Sequence, residues 1–208
     1  MKHYLADRPD APLLVFGHGA GAGELHPWMV RVARGLSARG VSVTTFNFPY
    51  TAEGRRLPDK GPALERAFQD AWRSAFAACA AEPAALFAGG KSMGGRIASQ
   101  VAAADGLAPR PRGLVFFGYP LHPPAKPQQR RDRHLPKIAL PLLFLHGSKD
   151  PFGTPDEMRT LTASLPSADV HLVEGGDHSL TRGKREDPAG LALDAAMDVA
   201  AAWIASQS

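Results

Sequence analysis

The chain contains a single cysteine, Cys79, so no disulfide can form within it and no cysteine-rich metal cluster can be built. Long apolar runs are missing as well. No stretch reaches the length of a membrane-spanning helix, and residues 1–12 hold no apolar core of signal-peptide length. These absences make a soluble cytoplasmic protein the expectation, with no membrane partner. No pair of histidines combines metal-ligand spacing with nearby acids, so neither a metal nor a cofactor is expected. A formal net charge of +4 is only a mild basic bias. The arginines of residues 130–133 lack interleaved aromatics, which argues against a nucleic-acid groove. There is no internal repeat and no second hydrophobic core. Residues 1–208 therefore read as one domain, and nothing in the pattern fixes an oligomeric state.

Glycine and proline are abundant, at 21 and 19 residues, and their placement is informative. Residues 85–88 form an apolar run that leads into Gly89-Gly90-Lys91-Ser92-Met93-Gly94-Gly95. Gly90-x-Ser92-x-Gly94 has the pattern of a nucleophile elbow, a strand turning sharply into a helix with serine at the apex. Glycines two before and two after the serine permit the close backbone packing that such a turn needs. Gly90-Lys91-Ser92 also imitates the end of a phosphate-binding loop. That motif requires a glycine where Ala85 stands, and Leu86, Phe87 and Ala88 read as strand rather than open loop.

A second glycine-rich turn, residues 17–23, follows the apolar strand 13–16. Gly17-x-Gly19-x-x-Ala22 resembles a dinucleotide fingerprint, but the next strand, residues 41–48, ends in Asn47-Phe48-Pro49 without the acid that would hold a ribose. Helical spacing marks residues 27–38, 63–81, 94–104, 155–165 and 188–205. Further strands are expected at 113–119, 140–145 and 169–173, while 49–62 and 120–136 read as loops. Alternating buried strands and amphipathic helices predict an α/β fold. The expectation is a doubly wound, mostly parallel sheet of about six strands with helices on both faces. Ligands in such sheets bind past the carboxyl ends of the strands. His18, Ser92, Asp150 and His178 all fall there.

Serine attacks an acyl carbon only when a base takes its proton, usually an imidazole oriented by a carboxylate. The order Ser92, Asp150, His178 is that of an α/β-hydrolase triad, with enough chain between members for a whole strand-helix unit. Asp156 and Glu157 are rival acids, but each falls in the first turn of a helix, where an acid serves the dipole. His178 is the histidine that follows the last strand in a glycine-rich turn. His3, His26 and His134 read as surface residues and His146 as structural. Two backbone donors are required for the oxyanion. Met93 and Ala20 are the candidates, with Gly21 as the alternative to Ala20. His18, Tyr50, Arg55, Arg56 and His122 are the candidate substrate contacts.

With these motifs assembled, the sequence resembles the dienelactone-hydrolase-like α/β-hydrolases. It is most similar to a small branch sharing Gly-Lys-Ser-Met-Gly-Gly-Arg at the elbow and Gly-x-x-Asp-Pro-Phe-Gly at the acid. That branch includes testis-expressed hydrolase-like proteins and the hydrolase-like domain of an NSL-complex subunit. The chain departs from dienelactone hydrolase itself, which uses cysteine where Ser92 stands. The resemblance implies a minimal, cap-less serine hydrolase acting on a small-molecule carboxylic ester or thioester. The alternative it leaves open is a protein-interaction module on the same fold. The segment between Tyr119 and Leu140 is too short and proline-broken for a packed cap. It is expected to be a mobile flap opposite a wall of Tyr50, Arg55 and Arg56, giving a mouth that favours short or anionic acyl groups.

Overall fold

In the computed structural model, which describes residues 1–79 and 81–208, one sheet runs through the whole chain. Its strands are β1 (Lys2–Tyr4), β2 (Leu13–Gly17), β3 (Ser42–Phe46), β4 (Leu86–Lys91), β5 (Gly113–Phe117), β6 (Leu142–Gly147) and β7 (Ala168–Val173). The order is β1-β3-β2-β4-β5-β6-β7, parallel throughout except for the antiparallel β1. β2 to β6 are buried at every residue, which is why β2, β4, β5 and β6 read as largely apolar runs rather than alternating ones.

Side chains alternate between two cores. Leu13, Val15, Ala88, Phe116 and Phe144 face one side of the sheet, where α3 (Gly61–Ala77), α4 (Met93–Ala103) and α5 (Pro155–Ala163) cover them with Phe68, Trp72, Ile97 and Met158. Leu14, Phe16, Phe87, Val115 and Leu145 face the other, under α1 (Pro27–Ser37) and α6 (Leu191–Gln207) through Val32, Leu36, Met197 and Ile204. The chain winds outward in both directions from β2 and β4, so the strand order reverses between them. Their carboxyl ends therefore open a crevice.

Four details differ from the sequence reading. The sheet has seven strands, because the exposed β1 adds to the edge of β3. A short helix, α2 (Pro49–Ala52), opens the segment expected to be loop. α3 ends at Ala77 with Ala78 as its C-cap, short of the expected residue 81, and Phe76 is turned partly outward; residue 80 lies outside the described residues. α6 starts at Leu191, where the Asp187 carboxylate accepts from the N–H groups of Leu191 and Ala192 at 2.6 and 2.9 Å and caps the helix. Among the described residues, no helix is long and apolar enough to cross a membrane.

Candidate active site

The turn between β4 and α4 is built around Ser92, whose backbone adopts φ 50° and ψ −115°. That left-handed conformation is strained for a residue with a Cβ, and here the packing around it leaves no alternative. A Cβ on Gly90 would come within 2.6 Å of the Gly94 carbonyl carbon, and one on Gly94 within 2.8 Å of the His18 oxygen. The Ser92 N–H bonds to the Phe117 oxygen at 3.1 Å, tying the turn to the neighbouring strand.

His178 sits in the turn after β7. Lys149 N–H bonds to the Gly176 oxygen at 2.8 Å, and the Asp177 carboxylate accepts from the N–H groups of Ser179 and Thr181, so Asp177 braces the turn from within. The imidazole Nδ1–H donates to Asp150 Oδ2 at 2.7 Å, which leaves Nε2 to accept from the Ser92 hydroxyl at 2.9 Å. The Phe152 ring packs beside the imidazole, 4.3 Å between centroids. Asp150 lies just past β6 with its carboxylate fully buried. Burial alone pushes its pKa up. The His178 hydrogen bond and charge, His146 and the Phe152 N–H outweigh that and hold it below the usual carboxylate range. His146 donates through Nε2 to the Gly153 oxygen at 2.8 Å, burial lowers its pKa, and its Nδ1 lies 3.7 Å from Asp150 Oδ2.

A cleft of about 630 Å³ opens over Ser92. Gly19, Ala20, Gly21, Met93, Trp28, Lys91, Arg96, Pro120, Arg131, Phe152, His178 and Asp59 are among its walls. A Cβ on Gly19 would lie 3.6 Å from Ser92 Cβ, so the glycine-rich turn after β2 passes directly over the serine. Met93 opens α4, whose N-terminus faces the same space.

The five expected substrate contacts do not line this cleft. His18 is fully buried beneath the turn. It donates through Nδ1 to the Gly19 oxygen at 2.8 Å and accepts at Nε2 from Phe48 N–H at 3.1 Å, pinning β2 to β3. Tyr50 is buried by α2, with its ring against His18. Arg55 pairs with Glu53 and with Asp59 of the wall without itself lining the cleft, and Arg56 is exposed outside the walls. His122 is buried against Glu157 and the Pro123 oxygen. The expected mobile flap is also not free. Its Arg131 N–H bonds to the Leu121 oxygen, its Arg131 oxygen accepts from Tyr119, and His134, half-buried rather than on the surface, bonds to Ser99 at 2.8 Å. The wall residues that sequence reasoning missed include Trp28, Asp59, Lys91, Arg96, Arg131 and Phe152, together with His26, which reads in the sequence as a surface residue.

Among the described residues, no cluster of three or more His, Cys, Asp or Glu side chains could hold a metal ion. A family model described as an alpha/beta hydrolase domain matches residues 10–206, and the chain belongs to that family. Its fold is similar to dienelactone hydrolase from Anabaena variabilis, with a TM-score of 0.74 and 18% identity over 98% of this chain and 89% of that one. It is also similar to Est1E from Butyrivibrio proteoclasticus, solved with ferulic acid, with a TM-score of 0.73 and 15% identity over 98% and 95%. A third likeness is to XC6422 from Xanthomonas campestris, a serine hydrolase described as lacking a lid, with a TM-score of 0.67 and 17% identity over 93% and 81%.

Proposed function

We propose that this α/β-hydrolase transfers the acyl group of a carboxylic ester or thioester to water through Ser92. The observation that carries the reading is the continuous pair of hydrogen bonds from Ser92 to His178 to Asp150, placed under an open cleft. As Ser92 Oγ attacks the carbonyl carbon, its proton passes to His178 Nε2, and the buried Asp150 carboxylate stabilises the imidazolium. The negative charge on the former carbonyl oxygen is met by the N–H groups of Met93 and Ala20, aided by the α4 dipole. Collapse expels the alcohol or thiol with the proton from Nε2. Water, deprotonated by the same imidazole, then releases the acid and restores Ser92. Each proton leaves and returns through one nitrogen, and no cofactor enters the balance.

The test is covalent labelling with a neutral fluorophosphonate probe. Labelling should fall on Ser92, disappear in Ser92→Ala and drop sharply in His178→Ala. A folded wild-type protein that takes no label, or a label that survives Ser92→Ala, would return the chain to the non-catalytic module.

A further inference from the structure

Two guanidiniums in the cleft wall have no acidic partner, while the acids around them are engaged elsewhere. Arg96 lies in the first turn of α4 and Arg131 on the segment after β5, and both line the cleft with Ser92. Arg96 reaches only the neutral Gln100 amide, at 3.1 Å, and its Nε is buried without a protein partner. Among the described residues, neither arginine forms an ion pair. Asp132 and Glu157 are bonded to Arg130, and Asp59 on the opposite wall to Arg55 and the Tyr50 N–H. Glu65 of α3 acts on Arg96 only at longer range.

Three influences therefore work against Arg96 in the free protein. Burial strips its water, Arg131 repels it, and the positive end of α4 adds to that repulsion. A bound anion would offset all three. The segment carrying Arg131 is fixed in advance, because the Arg131 backbone is held at both N–H and carbonyl, by Leu121 and Tyr119, each at 2.9 Å. An anion would thus meet the two arginines without ordering a loop.

We infer that Arg96 and Arg131 form an anion subsite that accepts a dianionic oxyacid group, a phosphate or phosphonate head, carried by the ester or thioester. This deepens the Ser92 reading and rests on it. Two unpaired guanidiniums are neutralised by two negative charges, which a phosphate monoester supplies and a single carboxylate does not. The planar donor forks also suit the oxygens of such a group.

The test uses three 4-nitrophenyl esters that share one propylene spacer and end in methyl, carboxylate or phosphonate: the pentanoate, the hemiglutarate and the 4-phosphonobutanoate. Wild-type kcat/KM should rise along the series by on the order of 10- to 100-fold in total. The ratio of charged to neutral ester should collapse towards one in Arg131→Gln. A flat series, or a rise that survives Arg131→Gln, overturns the subsite, and a hemiglutarate as good as the phosphonate overturns the dianion assignment. Binding separates this from failure of the hydrolase reading. Calorimetric titration of Ser92→Ala protein with 4-phosphonobutanoate should give binding that the added Arg131→Gln abolishes, whether or not any ester turns over. Absence of that binding sinks the inference even if neutral esters are hydrolysed.

Discussion

The ammonium of Lys91 donates to the main-chain oxygen of His178 at 2.5 Å, while the indole N–H of Trp28 donates to the next carbonyl, Ser179, at 3.0 Å. Two consecutive carbonyls of the turn bearing the imidazole are thus held from β4 and α1. The Lys91 ammonium also lies 5.6 Å from the Trp28 ring centre. A Cβ on Gly118 would come within 2.6 Å of the same His178 oxygen, so the fit leaves no room to shift. Lys91 is a positioning residue for His178. Lys91→Met should lower kcat by on the order of 10- to 100-fold with a much smaller change in KM. A change confined to KM would contradict this role.

Lys91 also gives the fold a pH signature. Burial, opposed only in part by Asp150 and Asp177, lowers its pKa from the ordinary 10.5 to about 8. Between those values the unfolded chain holds the proton and the folded one does not, so this group's contribution to stability rises with pH across that window. Below it, both states are protonated and the desolvation penalty stands in full. The urea midpoint of wild type, relative to that of Lys91→Met, should therefore increase from about pH 8 to about pH 10. A difference that stays level across the window would show that the ammonium is not held as described.

Asp150 and Glu157 are separable by what each supports. Asp150→Asn leaves the packing intact but favours the wrong imidazole tautomer, and should reduce kcat/KM by on the order of 10⁴. Glu157 instead closes a capping box with Thr154 and bonds to His122 and Arg130. Glu157→Gln should lower stability by ~1 kcal/mol and leave ester hydrolysis near the wild-type rate. Steady-state kinetics beside urea melts of both variants decide the matter, and a reversed pattern would move the orienting acid to Glu157.

The parts of this chain that were legible share one property: the chain's own local pattern determines them. β2 and β4 to β6 read correctly because strands covered on both faces are apolar throughout. Ser92 and Asp150 stood out because each follows such a strand, and His178 because it follows the last strand in a glycine-rich turn; the fold brings the three together. β1 was illegible because Lys2-His3-Tyr4 carries no apolar signal and becomes a strand only by pairing with β3. Substrate contacts failed for a related reason. Proximity in sequence put Tyr50 and Arg55 beside the cleft, but α2 buries one and Asp59 captures the other. Arg131 was hidden in a run of charges that reads as solvated surface. Arg96 did carry a signal: four residues past Ser92 on a helix, it had to rise one turn above the serine.

Gly94 of the elbow and Gly21 of the turn after β2 differ in what a methyl group would meet. Gly94→Ala would drive a Cβ into the Gly17 carbonyl and to 2.8 Å from the His18 oxygen, both main-chain atoms that cannot swing aside. The expected loss is ~3 kcal/mol or more, or failure to accumulate as folded protein. Gly21 has φ 73° but open space around its Cβ position. Gly21→Ala should lose only ~1 kcal/mol, the backbone term alone. Equal midpoints for the two variants in urea would show that the turn relaxes where the packing says it cannot.

The last prediction concerns substrate length. Between β5 and β6 there is only a single 3₁₀ turn, Leu135–Lys137, and no inserted cap. The segment's bonds to Tyr119, Ser99 and Phe152 hold it against the body rather than poised above the cleft. A wall fixed in this way cannot open onto a lipid surface, and it provides no apolar tunnel for a long chain. The polar groups on the floor and rim, Lys91, Arg96, Arg131 and Asp59, would remain hydrated beside a long alkyl tail. Among neutral aryl esters, kcat/KM should therefore peak at acetyl to hexanoyl and fall for dodecanoyl. The rate should rise smoothly, without a jump, as a long-chain ester passes its solubility limit. An optimum at dodecanoyl, or a step in rate at the appearance of an interface, would mean that residues 120–136 move away from the body in solution.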